Sequence, residues 1–285
     1  MRKFFGYAAL CLAFAGFAAS AGAQLSAPNA AGVAMGHLHY VVRDVAANKA
    51  FWVKLGGEPV MLGTTEGVRF PDVIVLLRQG ETSGGTEGSV VNHVAFRVKS
   101  VAALERAGFD VHLNEQYPGV ASVVTPEGER IELFDDELAT NLMFTIDGGG
   151  KDAAAERHNR KIDVPIIAHH IHLNVPEGQV EAVKAWYATH FGGVRGMRWR
   201  YDAVDLPGIN INISAVPAAL APTRGRQLDH IGFEVANLEA FGKKLEAAGI
   251  KFDRPYSELP SGLKLAFLTD PWGTYIELTE GLRDL

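Results

Sequence analysis

The chain has 285 residues, 47% of them apolar, and 27 basic against 33 acidic side chains give a formal charge of −6 at neutral pH. Such a composition excludes disorder, and an acidic balance without a basic block excludes nucleic acid and anionic membranes as partners. The length allows two domains, each with a substantial core.

The opening stretch, MRKFFGYAALCLAFAGFAASAGAQ, has two early cations, an apolar run from Phe4 to Phe17 and small residues at Ala21-Gly22-Ala23. It reads as a secretory signal over residues 1–23, cut after Ala23. An uncleaved anchor fits less well, because the run is shorter and richer in Ala than the roughly 20 strongly apolar residues a span prefers. Cys11, the single cysteine, lies inside it, so the mature chain has no disulfide and no thiolate ligand. The expectation is a periplasmic or secreted protein, free of the membrane after cleavage.

Beyond the signal, four strand-like stretches carry a histidine near their start: GHLHYVV at 36–42, NHVAFRV at 92–98, HHIHLNV at 169–175 and LDHIGFEV at 228–235. The first and third are followed by KAFWVKLGG at 49–57 and KAWYATHFGG at 184–193, aromatic helices closed by a Gly pair. The second and fourth are followed by helices with Ser100 and Asn237 as caps and Gly108 and Gly249 as stops, then by TPEGERIEL at 125–133 and DPWGTYIEL at 270–278. The chain is therefore an ABAB duplication of strand–helix–strands units over 36–79, 90–134, 167–216 and 227–281. The charged, Gly-rich stretch 135–165 reads as a linker with one short helix. That gives a first domain over 34–134 and a second over 166–285. A single unit cannot cover its own sheet, so units should pair into cupped mixed sheets of an α+β fold.

Alternation along the strands puts His37 and His39, His93, His170 and His172, and His230 on one face and the apolar residues between them on the other. Glu132 and Glu277, near the ends of the closing strands, are out of phase with their apolar neighbours and share the histidine face. A carboxylate and imidazoles converging inside a curved sheet need a partner, and a divalent cation is one. Two histidines and one glutamate suit Fe(II), while Mn, Zn, Ni and Co accept the same set.

These features together, the FW…LGG helix, the LDHIGFEV opening and the DPWGTYIEL ending, resemble the vicinal oxygen chelate superfamily. That superfamily includes glyoxalase I, bleomycin and fosfomycin resistance proteins and type I extradiol dioxygenases. The resemblance covers about residues 36–134 and 167–281 and implies two tandem glyoxalase-like domains, each built from two paired βαβββ modules. It further implies metal ligation by His170, His230 and Glu277 in the second half and by His37, His93 and Glu132 in the first. If units pair across the duplication, the sets become His37 with His230 and Glu277, and His170 with His93 and Glu132. Aligning PDVIVLL and PGININI on their prolines puts Val75 and Ile211 at the fourth ligand position of glyoxalase I, which argues against that chemistry. Many ring-cleaving relatives have a tyrosine where this chain has Ser122 and Phe267.

His172 and His39 are the candidate catalytic acid–base residues, with Asn174, Arg97 and Glu234 projecting into the same cup. Trp199, Tyr201, Phe267, Trp272 and Tyr275 are candidate cup-lining aromatics, and His112, His158 and His190 read as solvated. The expected function is a metal-dependent enzyme, oxygenase ahead of glyoxalase-like lyase or isomerase, acting on a small substrate with adjacent oxygens, as a monomer or homodimer. The alternative is a metal-independent binding protein of the bleomycin-resistance type.

Overall fold

The computed structural model describes residues 24–152 and 155–284; the expected signal over 1–23 lies outside them. The four units appear as read. The first comprises β1 (Val33–Val42), α1 (Val45–Leu55), β2 (Glu58–Leu62), β3 (Thr65–Phe70) and β4 (Val73–Gln79). The second has β5 (Val91–Val98), α2 (Val101–Arg106), β6 (His112–Leu113), β7 (Val120–Val124) and β8 (Arg130–Asp135). After β9 (Phe144–Ile146), the third has β10 (Ile166–Pro176), α3 (Val180–Phe191), β11 (Val194–Arg198), β12 (Tyr201–Leu206) and β13 (Ile209–Val216). The fourth has β14 (Leu228–Val235), α4 (Leu238–Ala247), β15 (Phe252–Glu258), β16 (Lys264–Thr269) and β17 (Tyr275–Glu280).

Local chemistry explains the helix limits. Ser100 and Asn237 accept the backbone N–H of Ala103 and Ala240, as the sequence suggested, and Asp44 does the same for Ala47. The Gly pairs divide their work. Gly56 and Gly192 take φ of 120° and 71°, whereas a Cβ at Gly57 or Gly193 would overlap Val68 or Val204 on the neighbouring strand. The aromatic faces of α1 and α3 are buried: Trp52 packs among Tyr40, Phe70 and Phe96, and Phe191 lies against Phe233. One continuous apolar core joins these helices to the strand faces of both sheets.

The units pair across the duplication. An eight-stranded sheet runs β15-β16-β17-β14-β1-β4-β3-β2 and a nine-stranded sheet runs β6-β7-β8-β5-β10-β13-β12-β11-β9. The first unit thus pairs with the fourth through antiparallel β1 and β14, and the second with the third through β5 and β10. Neither sheet is confined to residues 34–134 or to 166–285, so the structure brings together the crossed candidate sets and not those confined to one half. Periodicity fixes which face of a strand is buried but not which strand it pairs with. The linker holds more than a short helix. The edge strand β9 pairs with β11, and a single 3₁₀ turn at Ala155–Asn159 buries His158, which was expected in solvent, with Nε2 2.5 Å from Asp205 Oδ1. His112 is exposed and His190 half-buried.

Candidate metal centres

The central strands carry four one-residue bulges, and each comes immediately before one of the four strand histidines. On β1 the register slips between Met35 and His37, and on β10 between Ala168 and His170, leaving Gly36 and His169 as the extra residues. On β14 and β5 the extra residues are Asp229 and Asn92. Met35, Ala168, Leu228 and Val91 all lie in the apolar core. Without the bulge, the residue two positions further on would point there as well; the inserted residue turns each histidine onto the concave face.

In the eight-stranded sheet His37, His230 and Glu277 converge. Glu277 Oε2 is 3.0 Å from His37 Nε2 and 2.9 Å from His230 Nε2, and His39 brings a ring nitrogen within 4.8 Å of the same group. In the nine-stranded sheet Glu132 Oε2 is 3.2 Å from His93 Nε2 and 3.5 Å from His170 Nε2, while those two nitrogens are 3.3 Å apart. His172 takes the place of His39 there. Ligand atoms about 2.1 Å from one divalent ion are separated by roughly 3.0–3.4 Å, from octahedral to tetrahedral angles. Both donor sets therefore fit an ion in spacing and in chemistry.

Three of the four bulged residues also touch the candidate ligands from behind. Asp229 Oδ1 lies 2.6 Å from His230 Nδ1, Asn92 Oδ1 lies 2.7 Å from His93 Nδ1, and His169 Nδ1 lies 2.8 Å from His170 Nδ1. A proton on Nδ1 of His230 leaves its Nε2 lone pair facing the cup, whereas at His93 Nδ1 also lies 2.7 Å from the donor Arg130 Nη2. His37 follows Gly36, which has no side chain to offer, and its Nδ1 is buried without a partner. Both ring nitrogens of His39 are likewise unpartnered, whereas His172 Nε2 is 2.8 Å from Ser214 Oγ.

Burial alone would push the Glu277 carboxyl up, but hydrogen bonds from His230 and His37 overcome it and hold the group well below the ordinary carboxylate range. Glu132 is also lowered, against its burial, by His93. Burial pulls His170 and His172 well below the usual imidazole range and takes His39 to about 3, with His230 and His37 adding to the last shift. These three are neutral at pH 7. His230 moves up, because Asp229 and Glu277 outweigh its burial.

A depressed carboxyl in the folded state contributes stability that is present above the ordinary value of 4.5 and is lost as pH falls below it. Metal-stripped protein should therefore lose melting temperature as it is acidified below that value. Glu277→Gln should remove part of this slope in a series of melts across pH.

The strand register corrects the fourth-ligand position. Glu277 pairs with Gly232 and Glu132 with Ala95, each two residues beyond a ligand histidine. The same step from His37 and His170 leads to His39↔Leu76 and His172↔Asn212, not to Val75 and Ile211, whose side chains join the core. Neither position holds a carboxylate. Beside the glutamates, in register, stand Phe267 and Ser122.

Arg97 and Glu234 are structural rather than cup groups. Arg97 pairs with Asp136 at 2.5 Å, and Glu234 accepts from Thr279 and the backbone N–H of Gly281. Trp272 packs on Trp186, but Phe267 and Tyr275 flank His230, and Trp199 and Tyr201 line the second cup. Sequence reasoning missed the bulged residues and also Arg198, buried in the second cup with Nε donating to Asn212 Oδ1 and Nη1 to the Asn141 carbonyl.

Two sheets with this strand order, each cupped around a His/His/Glu set, invite comparison with known proteins. Residues 167–278 match the family model of the Glyoxalase/Bleomycin resistance protein/Dioxygenase superfamily. This stretch belongs to that superfamily. A likeness in fold to solved structures extends over nearly the whole chain. Glyoxalase I from Zea mays superposes with a TM-score of 0.62 at 16% identity, over 88% of this chain and 94% of that one. A putative dioxygenase from Bacillus subtilis gives 0.61 at 13% identity, over 90% and 86%. No curated protein sequence matches the chain significantly. The two tandem glyoxalase-like domains expected from the sequence are thus present in fold, with their modules exchanged between the halves.

Proposed function

We propose that the chain is an exported, divalent-metal-dependent enzyme acting on a small organic substrate with two adjacent oxygens. The convergence of two histidines and one glutamate in each cup, with the glutamate oxygen 2.9–3.5 Å from both histidine nitrogens, carries this reading. A bound ion would supply Lewis-acid polarisation of the substrate oxygens or, as Fe(II), redox chemistry with dioxygen. His37, His230 and Glu277 would hold one ion, and His93, His170 and Glu132 the other.

The chain's own residues supply the rest. His39 and His172, neutral and two residues beyond a ligand, can accept a proton from a bound hydroxyl or hydrogen-bond to it. Leu76 and Leu265 give the first cup an apolar wall. Three ligands per set, with Leu76 and Asn212 where a fourth carboxylate would stand, favour a dioxygenase-type reaction over a glyoxalase-type one. The fold relatives named glyoxalase I and putative dioxygenase are compatible with either.

Metal per chain tests the proposal, measured by elemental mass spectrometry on protein purified without chelators or affinity nickel. Close to two ions are expected. Absence of metal even after reloading with Fe(II), Mn, Zn and Ni would reject the enzyme reading in favour of a metal-free binding protein.

A further inference from the structure

The two cups differ in chemistry. The first encloses a cavity of about 560 Å³ walled by Leu62, Leu76, Leu263 and Leu265, with no Lys or Arg among its lining residues. Arg224 and Arg254 stack on nearby Tyr275 and Phe267 but do not line it. The second cavity, about 290 Å³, is lined by three guanidinium groups, those of Arg130, Arg198 and Arg200.

Arg198 is only 1% exposed. Its hydrogen bonds go to neutral acceptors, the Asn212 amide and the Asn141 carbonyl, and engage Nε and Nη1. A buried cation without a paired anion is costly. Glu132, which attracts it across the cup, is already engaged by His93 and Arg130.

Arg200 repeats the pattern at the mouth. It donates to the hydroxyls of Tyr117 and Tyr201 and lies 4.3 Å over the Trp199 ring. Trp199 itself takes φ of 54°, a conformation bulky residues avoid, and its N–H donates to Met143 O. The β11–β12 turn is thus held in a disfavoured backbone state that presents a Trp-Arg pair at the opening.

We propose that the second cup selects a small organic acid, its carboxylate held by Arg198 and Arg200 and its flat body lying against Tyr117, Trp199 and Tyr201. A guanidinium fork matches a carboxylate in shape, and the aromatic rim favours an unsaturated body over a bare oxyanion. The inference rests on reading the cups as substrate sites and names the substrate class for one of them.

Calorimetric titration of metal-stripped protein with benzoate, benzamide and inorganic phosphate tests it. Benzoate should bind at least about tenfold more tightly than its uncharged isostere, the discrimination expected of a charged hydrogen bond. Arg198→Met should abolish benzoate binding. Arg200→Gln, an exposed change that spares the fold, should weaken it by about 10–100-fold. Equal affinity for benzamide, tighter binding of phosphate than of benzoate, no benzoate binding, or unchanged affinity in Arg200→Gln would each overturn the assignment. Metal content of the same preparation before stripping separates the two readings. Two ions without benzoate binding would sink only the acid-binding cup, and benzoate binding without metal would sink only the metalloenzyme.

Discussion

Replacing Gly232 by alanine should empty the first cup of its metal while leaving the second cup loaded, so that content falls from near two ions per chain to near one. The His37 ring lies directly over Gly232, its partner across the β1–β14 ladder, and a Cβ there would fall inside the imidazole. His37 is itself almost fully buried and cannot retreat without giving up its 3.0 Å approach to Glu277. Losing one of three ligands should weaken binding by more than the roughly 10–100-fold typical of an outer partner. Overpacking adds about 1–3 kcal/mol of destabilisation, which a melting curve will register as a drop of about 2–4 °C per kcal/mol. The second cup provides the control, because Ala95 already stands opposite His170 and Ala95→Gly should leave that ion in place. Retention of both ions by Gly232→Ala would show that His37 does not ligate.

Much of this arrangement was legible in the sequence because one histidine in a strand is ambiguous, whereas four in the same phase with two in-phase glutamates are not. What stayed hidden depends on contacts between distant segments. The apolar faces of all four units are alike, so periodicity could not decide whether His37 joins His93 or His230; only the hydrogen-bonded order of strands does. Aligning the closing strands of the odd units on a proline was one residue out, since a turn need not keep step with the ladder, and this placed Val75 and Ile211 where Leu76 and Asn212 stand. Arg198 and Arg200 come from the third unit and Tyr117 from the second, and no local pattern brings the two units together. His158 reads as solvated because it falls in the linker, outside the repeat pattern, yet Asp205, which pairs with it in the interior, lies far along the chain.

The bulges link fold to chemistry most directly, and they carry the second large expected effect. Asp229 exists as an inserted residue only because β14 must turn His230 out of the core. Being inserted, its side chain lies beside the ring it has turned, 2.6 Å from Nδ1, while its other oxygen accepts the Gly225 N–H. The carboxylate therefore fixes both the tautomer and the plane of a candidate metal ligand and adds negative charge behind it. Asp229→Ala should weaken metal binding in the first cup by roughly 10–100-fold, measured by competition against a chelator, with the melting temperature of the stripped protein as a check on folding. Asp229→Asn keeps an acceptor but not the charge and should recover part of the loss. Asn92→Ala, which removes a neutral side chain from beside His93, should cost the second cup less. If Asp229→Ala bound metal as tightly as the parent, the bulge would serve only to set the phase of the strand, and the orientation of His230 would have to come from Glu277 alone.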